Sequence, residues 1–273
     1  MAERLHVILA RAGVASRREA ERLIRDGRVM VNGEVILRPG AQVVWGQDAI
    51  HVDNRPIRKL EPKVVIMLNK PKRVVTTCHD PAGRPTISEL VREVKARLFY
   101  VGRLDYHSEG LLIMTNDGDL AQRLQHPRYG IPKTYLTKVK GTPGTRALER
   151  LRSGIMLDRR RTAPARVEKT GTTGANTWLE ITIKEGRNRQ VRRMCEAVGH
   201  PALKLKRIQY GPIRLGNLKP GSYRHLTPGE IESLQKCIGE EALSKSKKSS
   251  APSKSRLKAA KNPPKSPFDK VGL

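Results

Sequence analysis

The stretch VGRLDYHSEGLLIMTNDGDL, residues 101–120, carries the logic of this chain in miniature. Sheet-forming residues lead into Leu104, a polar segment displays Arg103, Asp105, His107, Ser108 and Glu109, and the apolar run GLLIMT follows. Next, TNDGDLAQRL reads as a turn and a helix start, with Asp117 and Asp119 as turn and cap residues that satisfy free backbone N–H groups. Asp105 differs because no helix begins beside it. Either it belongs to a solvated connection, or two rigid strands present its carboxylate to a working surface.

Working outward, strand-like and helix-like runs alternate from VVIMLNKP to about residue 238. Strands are expected near 64–69, 98–104, 110–115, 133–140, 177–184 and 202–210, and helices near 87–97, 119–126, 145–153, 188–198 and 228–237. Thr227, Pro228 and Glu230 form a helix start with a capping box. The fold class is α+β. Because most strands alternate, the sheet is expected to be mixed, mainly antiparallel, with one wetted face.

Ahead of this domain, assigned to residues 64–239, lie two short helices and a hairpin over residues 3–53. Ser16 and Glu19 give the S-x-x-E pattern, Ala20, Leu23 and Ile24 an apolar stripe, and Asp26-Gly27 a stop. Asn32-Gly33 between VMV and EVI signals a tight hairpin, since both residues tolerate positive φ. Arg18, Arg22 and Arg25 follow at i, i+4 and i+7, making a cationic helix face that is either solvated or RNA-binding. Residues 54–63, NRPIRKLEPK, have the composition of a flexible linker. The Lys/Ser/Pro-rich residues 240–273 bury too little apolar surface to offset ordering entropy and are expected to be disordered. They read as a solubilising tail or, preferably, as a salt-dependent contact to RNA phosphates.

The bulk numbers point the same way. In 273 residues, 54 Lys and Arg face 26 Asp and Glu, a formal net charge of +28 that implies a polyanionic partner, nucleic acid first. No apolar run reaches the length of a spanning helix, and aromatics are 4%, so a membrane partner is disfavoured. The amino terminus fits neither a secretory signal nor a transit peptide, so a cytoplasmic protein is expected. Cys78, Cys195 and Cys237 are too scattered for a disulfide framework or a zinc site. Phosphate-loop and dinucleotide fingerprints are absent.

EGRNRQVRRMCEAVGH, residues 185–200, bears on Asp105. Val191, Met194, Cys195 and Val198 make a buried helical stripe, with Arg189, Arg192, Arg193 and Glu196 opposite. The plain account is an exposed Arg192–Glu196 pair, worth about 0.3–0.5 kcal/mol. The sharper one has an arginine of this cluster, which also includes Arg187, keeping a cleft carboxylate ionised. His107 and Arg84, the latter in HDPAGRPT, are weaker candidates: a solvated loop histidine and a structural loop that touches RNA at most through its arginine.

RLHVILARAGVASRREAERLIRDGRVMVNGEV resembles the S4-type RNA-binding module over its whole length. GRLDYHSEGLLIMTNDGDLAQRLQHP, then KTYLTKV, then EGRNRQVRRMCEAVGHPALKLKRIQYGPI resemble, in order, the motifs of ribosomal RNA pseudouridine synthases of the RsuA/RluB group. That resemblance implies that Asp105 is the catalytic aspartate, that Arg103 helps fill the space of a flipped nucleotide, that Tyr135 packs against the target base, and that Arg192 is the arginine paired with Asp105. Arg18, Arg22, Arg25, Arg187 and Arg189 are then candidate RNA contacts. Ser108 stands where the group's pattern expects Thr, which keeps the hydroxyl. Without the resemblance, core packing explains Tyr135 equally well.

The chemistry suits a single carboxylate. Converting uridine to pseudouridine breaks N1–C1′, turns the uracil and joins C5 to C1′, with no redox change; Asp105 would serve as nucleophile or as base. A stacked uracil cannot be reached, so base flipping is expected. The expected enzyme is a monomer using no metal or organic cofactor, with ribosomal RNA as partner, either naked or in a pre-ribosomal particle. DPAGRPT and the basic tail favour large-subunit 23S over small-subunit 16S RNA. Its rivals are a non-catalytic ribosome-assembly factor and a metal-dependent nuclease built on Asp105, Asp117 and Asp119.

Overall fold

The computed structural model describes residues 2–249. Near the amino terminus, α1 (Leu5–Arg11) and α2 (Arg17–Arg25) pack on a four-stranded sheet of β1 (Val29–Val31), β2 (Glu34–Val35), β3 (Ile50–Val52) and β4 (Arg55–Pro56), ordered β2-β1-β3-β4. Leu5, Ile8, Leu9, Leu23 and Ile24 join Val29, Val31 and Ile50 in a core of their own. Ser16 Oγ accepts the Glu19 N–H at 3.1 Å, but the Glu19 carboxylate bonds Arg22 instead of returning to Ser16, so only half the capping box forms. Asn32 (φ 53) and Gly33 (φ 85) both lie in the left-handed region, as the hairpin turn requires.

The supposed linker is corrected by the structure. Asp53 (φ 50) and Asn54 (φ 61) make a second two-residue turn of the same kind, and Arg55–Pro56 then pairs with His51 and Val52 as an edge strand, where proline is tolerated. Ile57 and Leu60 pack on the amino-terminal core, and the Glu61 N–H donates to Arg11 O at 3.0 Å. Turn residues and apolar anchors thus tie down a segment whose composition alone suggests freedom.

The larger domain comprises β5 (Val65–Lys70), α3 (Ile87–Leu90), β6 (Phe99–Val101), β7 (Glu109–Thr115), α4 (Gly118–Gln125), β8 (Lys133–Lys140), α5 (Thr145–Ser153), β9 (Arg166–Thr173), β10 (Asn176–Ile183), α6 (Gln190–Ala197), β11 (Ala202–Tyr210), β12 (Ile213–Arg214), β13 (Tyr223–His225) and α7 (Pro228–Ser249). One sheet runs β9-β10-β8-β11-β7-β5-β13, with β12 on β11 and β6 on β7. Its pairings are antiparallel except one: β11 meets β7 in a short parallel join at Lys206–Glu109 and Arg207–Gly110. The sheet therefore consists of two antiparallel halves stitched at Gly110, five residues beyond Asp105.

Five elements depart from expectation. β5 and β7 are buried on both faces, with Leu111 and Ile113 facing the core under α4 and α7, and Leu112 and Met114 facing the one containing Ile87; the wetted-face pattern survives in β10. The helix expected over 87–97 stops at Leu90, and Val91 and Leu98 reach the core from non-helical chain. β9 escapes the sequence reading because an edge strand pairs on one side only: of RVEKTGTT, Val167 alone is buried. α7 continues to Ser249, into the stretch expected to be disordered, because GEEALSK is made largely of helix formers. The rest of that stretch, residues 250–273, lies outside the described residues. No helix among the described residues is long and apolar enough to cross a membrane.

At the start of α7 the capping box is complete. Glu230 N–H donates to Thr227 Oγ1 at 3.2 Å and Thr227 N–H to Glu230 Oε2 at 2.9 Å. The Arg224 guanidinium, bonded to both carboxylate oxygens, and the Thr227 N–H hold the Glu230 carboxyl down to about 2. Glu230→Gln is expected to cost about 1 kcal/mol, read from the denaturation midpoint at neutral pH. Since the folded value lies below the ordinary 4.5, this contribution is full above about pH 4.5 and fades as the pH falls toward 2.

Candidate active site

The loop between β6 and β7 has its backbone carbonyls taken one after another. Leu104 O accepts from Thr76 Oγ1 at 2.7 Å, Asp105 O from Ser108 N at 2.9 Å and Lys70 Nζ at 3.3 Å, and Tyr106 O from Arg73 N at 2.8 Å. His107 O accepts from Arg192 Nη2 at 3.0 Å and Ser108 O from Lys70 Nζ at 3.0 Å. A merely solvated connection needs none of this. The polar break is a pinned loop, its backbone held by β5, the segment that follows β5, and α6, while the Asp105 side chain lines a cleft of about 500 Å³.

Lys70 does much of the pinning. It is fully buried at the end of β5 and donates to three carbonyls, those of Pro71, Asp105 and Ser108. Burial pushes its ammonium down to about 8, against the pull of Asp105 and Glu109. Lys70→Met leaves the carbonyls of Pro71 and Ser108 without this donor and Asp105 O with the Ser108 N–H alone, so it is expected to cost about 2–3 kcal/mol in a denaturation experiment. The loosened loop should also lower turnover while RNA affinity stays unchanged.

Asp105, Arg103, Tyr135, Arg187 and Arg189 all line the cleft. Arg103 is exposed at its rim, without a hydrogen-bond or ion-pair partner among the described residues. Tyr135 is buried on β8, opposite Ile181 of β10 and Arg207 of β11. Arg187 is already engaged: it donates to Arg160 O at 2.8 Å and Arg161 O at 2.6 Å, clamping a short hairpin. Arg18, Arg22 and Arg25 are exposed on α2, where Arg22 and Arg25 pair with Glu19 and Glu21.

The expected Arg192–Asp105 pair is corrected. Asp105 Oδ2 lies 3.9 Å from Arg189 Nη1, whereas Arg192 bonds the carbonyls of Ala202 and His107 and Ser108 Oγ. The cause is local geometry. Arg189 sits in a left-handed turn (φ 48) at the mouth of α6, which throws its side chain over the cleft, while Arg192, one turn into the helix, is half-buried behind the loop. Burial and the Arg189 charge lower the Arg192 guanidinium from its ordinary value. The surface pair Arg192–Glu196 does not form among the described residues, and Arg193 pairs with Asp158 instead.

At 3.9 Å the Asp105–Arg189 contact exceeds hydrogen-bond length and leaves the carboxylate free to engage a substrate. The other cleft acid, Glu185, accepts from Gln190 Nε2 and Ala163 N–H. One carboxylate is therefore available, suited to nucleophilic or general-base work. Asp117 caps α4 through the N–H groups of Asp119 and Leu120, and neither acid lines the cleft, so the three-acid cluster of a nuclease is not assembled. His107 packs its ring against Tyr106.

Three cleft features escape sequence reasoning: Lys133, Arg207 and Tyr210. Arg207 is 2% exposed, its Nε donates to Leu111 O at 2.7 Å, and its Nη2 is buried without a partner. Burial and Arg207 push Lys133 down to about 8. The signal available was the K of KTY and the R of LKRIQY, which read as ordinary solvent-facing charges on strands.

A family model described as RNA pseudouridylate synthase matches residues 64–197, and one described as S4 domain matches residues 3–50. An RNA pseudouridine synthase of Aquifex aeolicus is 47% identical over 240 residues, covering 88% of this chain and 96% of that protein. Ribosomal large subunit pseudouridine synthase B of Bacillus subtilis is 44% identical over 235 residues, covering 85% and 96%. A crystal structure of a pseudouridylate synthase superposes with a TM-score of 0.62 at 32% identity, covering 85% of this chain and 99% of that one.

Proposed function

Given that the chain belongs to the RNA pseudouridylate synthase family, isomerases of uridine in RNA, and carries an S4 domain ahead of the catalytic fold, we propose that it converts a specific uridine of 23S ribosomal RNA to pseudouridine. The observation that carries the reading is the loop pinned through consecutive carbonyls, which leaves Asp105 as the one free carboxylate of the cleft. The large subunit is favoured because the Bacillus subtilis relative, covered over 96% of its length, bears that name.

In this account the target nucleotide leaves its stack and enters the cleft, where Tyr135 offers an aromatic face to the base and Arg103 moves into the vacated space. Asp105 acts on the ribose, as nucleophile or as base, with the Arg189 guanidinium 3.9 Å from its carboxylate. Arg192 works from behind, holding the loop. The exposed arginines of α2 and the net charge of +28 supply phosphate contacts. The protein acts as a monomer without a metal or organic cofactor.

Carbodiimide mapping of 23S and 16S RNA after incubation with the protein tests this. A single new reverse-transcription stop in 23S RNA is expected. Tight binding with no new stop in either RNA would replace the reading with a non-catalytic assembly factor.

A further inference from the structure

We propose that Arg207 and Lys133 form a subsite on the cleft floor for the carbonyl oxygens of uracil, holding the base while it is detached from the ribose. The inference rests on the pseudouridine-forming reading of the same cleft.

Both residues line the cleft that contains Asp105 and Tyr135, and Arg207 faces Tyr135 directly across the β8–β11 ladder. Arg207 is held rigidly. Its Nε is fixed on Leu111 O at 2.7 Å, and its guanidinium carbon lies 5.2 Å from the centre of the Tyr210 ring, itself anchored by a hydroxyl bond to Leu124 O at 2.7 Å. Lys133 Nζ lies 5.4 Å from the same ring and donates to Ile131 O at 2.9 Å. An ammonium has three donors, so the other two remain for a ligand. Neither cation has a carboxylate within ion-pair distance among the described residues.

Two like charges brought this close, Arg207 buried and Lys133 half-buried, without a counter-ion weaken a fold unless something is gained in use. The unpartnered Arg207 Nη2 is the sharpest sign, a buried donor aimed at nothing the protein supplies. Its depth selects the ligand class. Phosphates stay near the rim, where Arg103 and Arg189 are exposed, whereas a group at 2% exposure admits only something small and flat entering edge-on. Uracil presents O2 and O4 on its edges. When N1–C1′ breaks, the bonding pair leaves with the base, and the negative charge spreads from N1 onto those oxygens. Forming C5–C1′ returns a pair to the sugar, C5 gives up its proton and N1 takes one up, so no co-reactant is needed. Fixed cations at the oxygens stabilise the detached state and keep the base from escaping.

The test compares wild type, Arg207→Met and Lys133→Met in single turnovers on large-subunit RNA with labelled uridine, scoring pseudouridine and free uracil. Each variant is expected to slow the saturated rate about 100-fold, leave RNA affinity unchanged and release free labelled uracil. A weakened affinity and shallower salt dependence with an intact saturated rate would assign the pair to a phosphate and overturn the proposal, as would unaltered rates. Should Arg207→Met fail to melt cooperatively, Lys133→Met decides, since that side chain makes one hydrogen bond and is not part of the Leu111 anchor. A wild type that modifies no RNA refutes the pseudouridine reading, and this subsite with it; an active wild type with unaffected variants refutes the subsite alone.

Discussion

Asp105→Asn is expected to abolish pseudouridine formation, with a loss of about 10²–10⁴-fold or more in rate, while the protein still folds and binds RNA. The bonds to the loop's main-chain carbonyls at residues 104–108 come from Thr76, Lys70, Arg73, Ser108 and Arg192, and the substitution removes none of them. What it removes is the carboxylate charge, one-third exposed and beyond hydrogen-bond length from Arg189. An amide is neither a useful nucleophile nor a base, and Glu185, tied to Gln190 and Ala163, cannot replace it. A variant with near-normal turnover would move the chemistry elsewhere. One that loses RNA binding in proportion to rate would recast Asp105 as a folding residue.

Gly110→Ala is expected to have the largest effect on stability, on the order of 3 kcal/mol or more. Gly110 has φ 114, and a Cβ there would stand 2.2 Å from Arg207 O and 2.6 Å from Arg207 N. Those are backbone atoms of the strand across the parallel join, so no side-chain rotation relieves the clash; the two halves of the sheet must part. Because Arg207 and the Asp105 loop are both attached to this join, turnover should fall as well. Gly83→Ala is the comparison. Its φ of 67 imposes strain of about 1 kcal/mol, but nothing lies within 4 Å of the added carbon. Equal denaturation midpoints for the two variants would show that the join yields, against this account.

The elements that the sequence revealed are those written in neighbouring residues. Asn32-Gly33, the Thr227–Glu230 box and the Asp117 cap are local chemistry, and each forms. The strand, loop and strand around Asp105 follow from the switch between apolar and polar runs. The site's supports are of another kind. Lys70 reaches Ser108, Arg207 reaches Leu111 and Arg192 reaches His107 across long stretches of chain, and nothing near Lys70 or Arg207 in sequence marks these as buried cations, a class rarely found inside proteins. The choice between Arg189 and Arg192 turned on one left-handed residue, which a helical pattern does not show. The order of residues 54–63 is hidden in the sequence because Asp53-Asn54 reads as loop composition as readily as a hairpin turn.

The most direct measurement is tritium release from ribosomal RNA carrying [5-³H]uridine, incubated with the wild-type protein in EDTA, using free 23S and 16S RNA and the assembled particles. Forming the C5–C1′ bond expels the C5 hydrogen, so stoichiometric release is expected from one uridine of the large-subunit substrate and none with Asp105→Asn. No release from any substrate despite tight binding, or equal release by both proteins, would contradict this expectation.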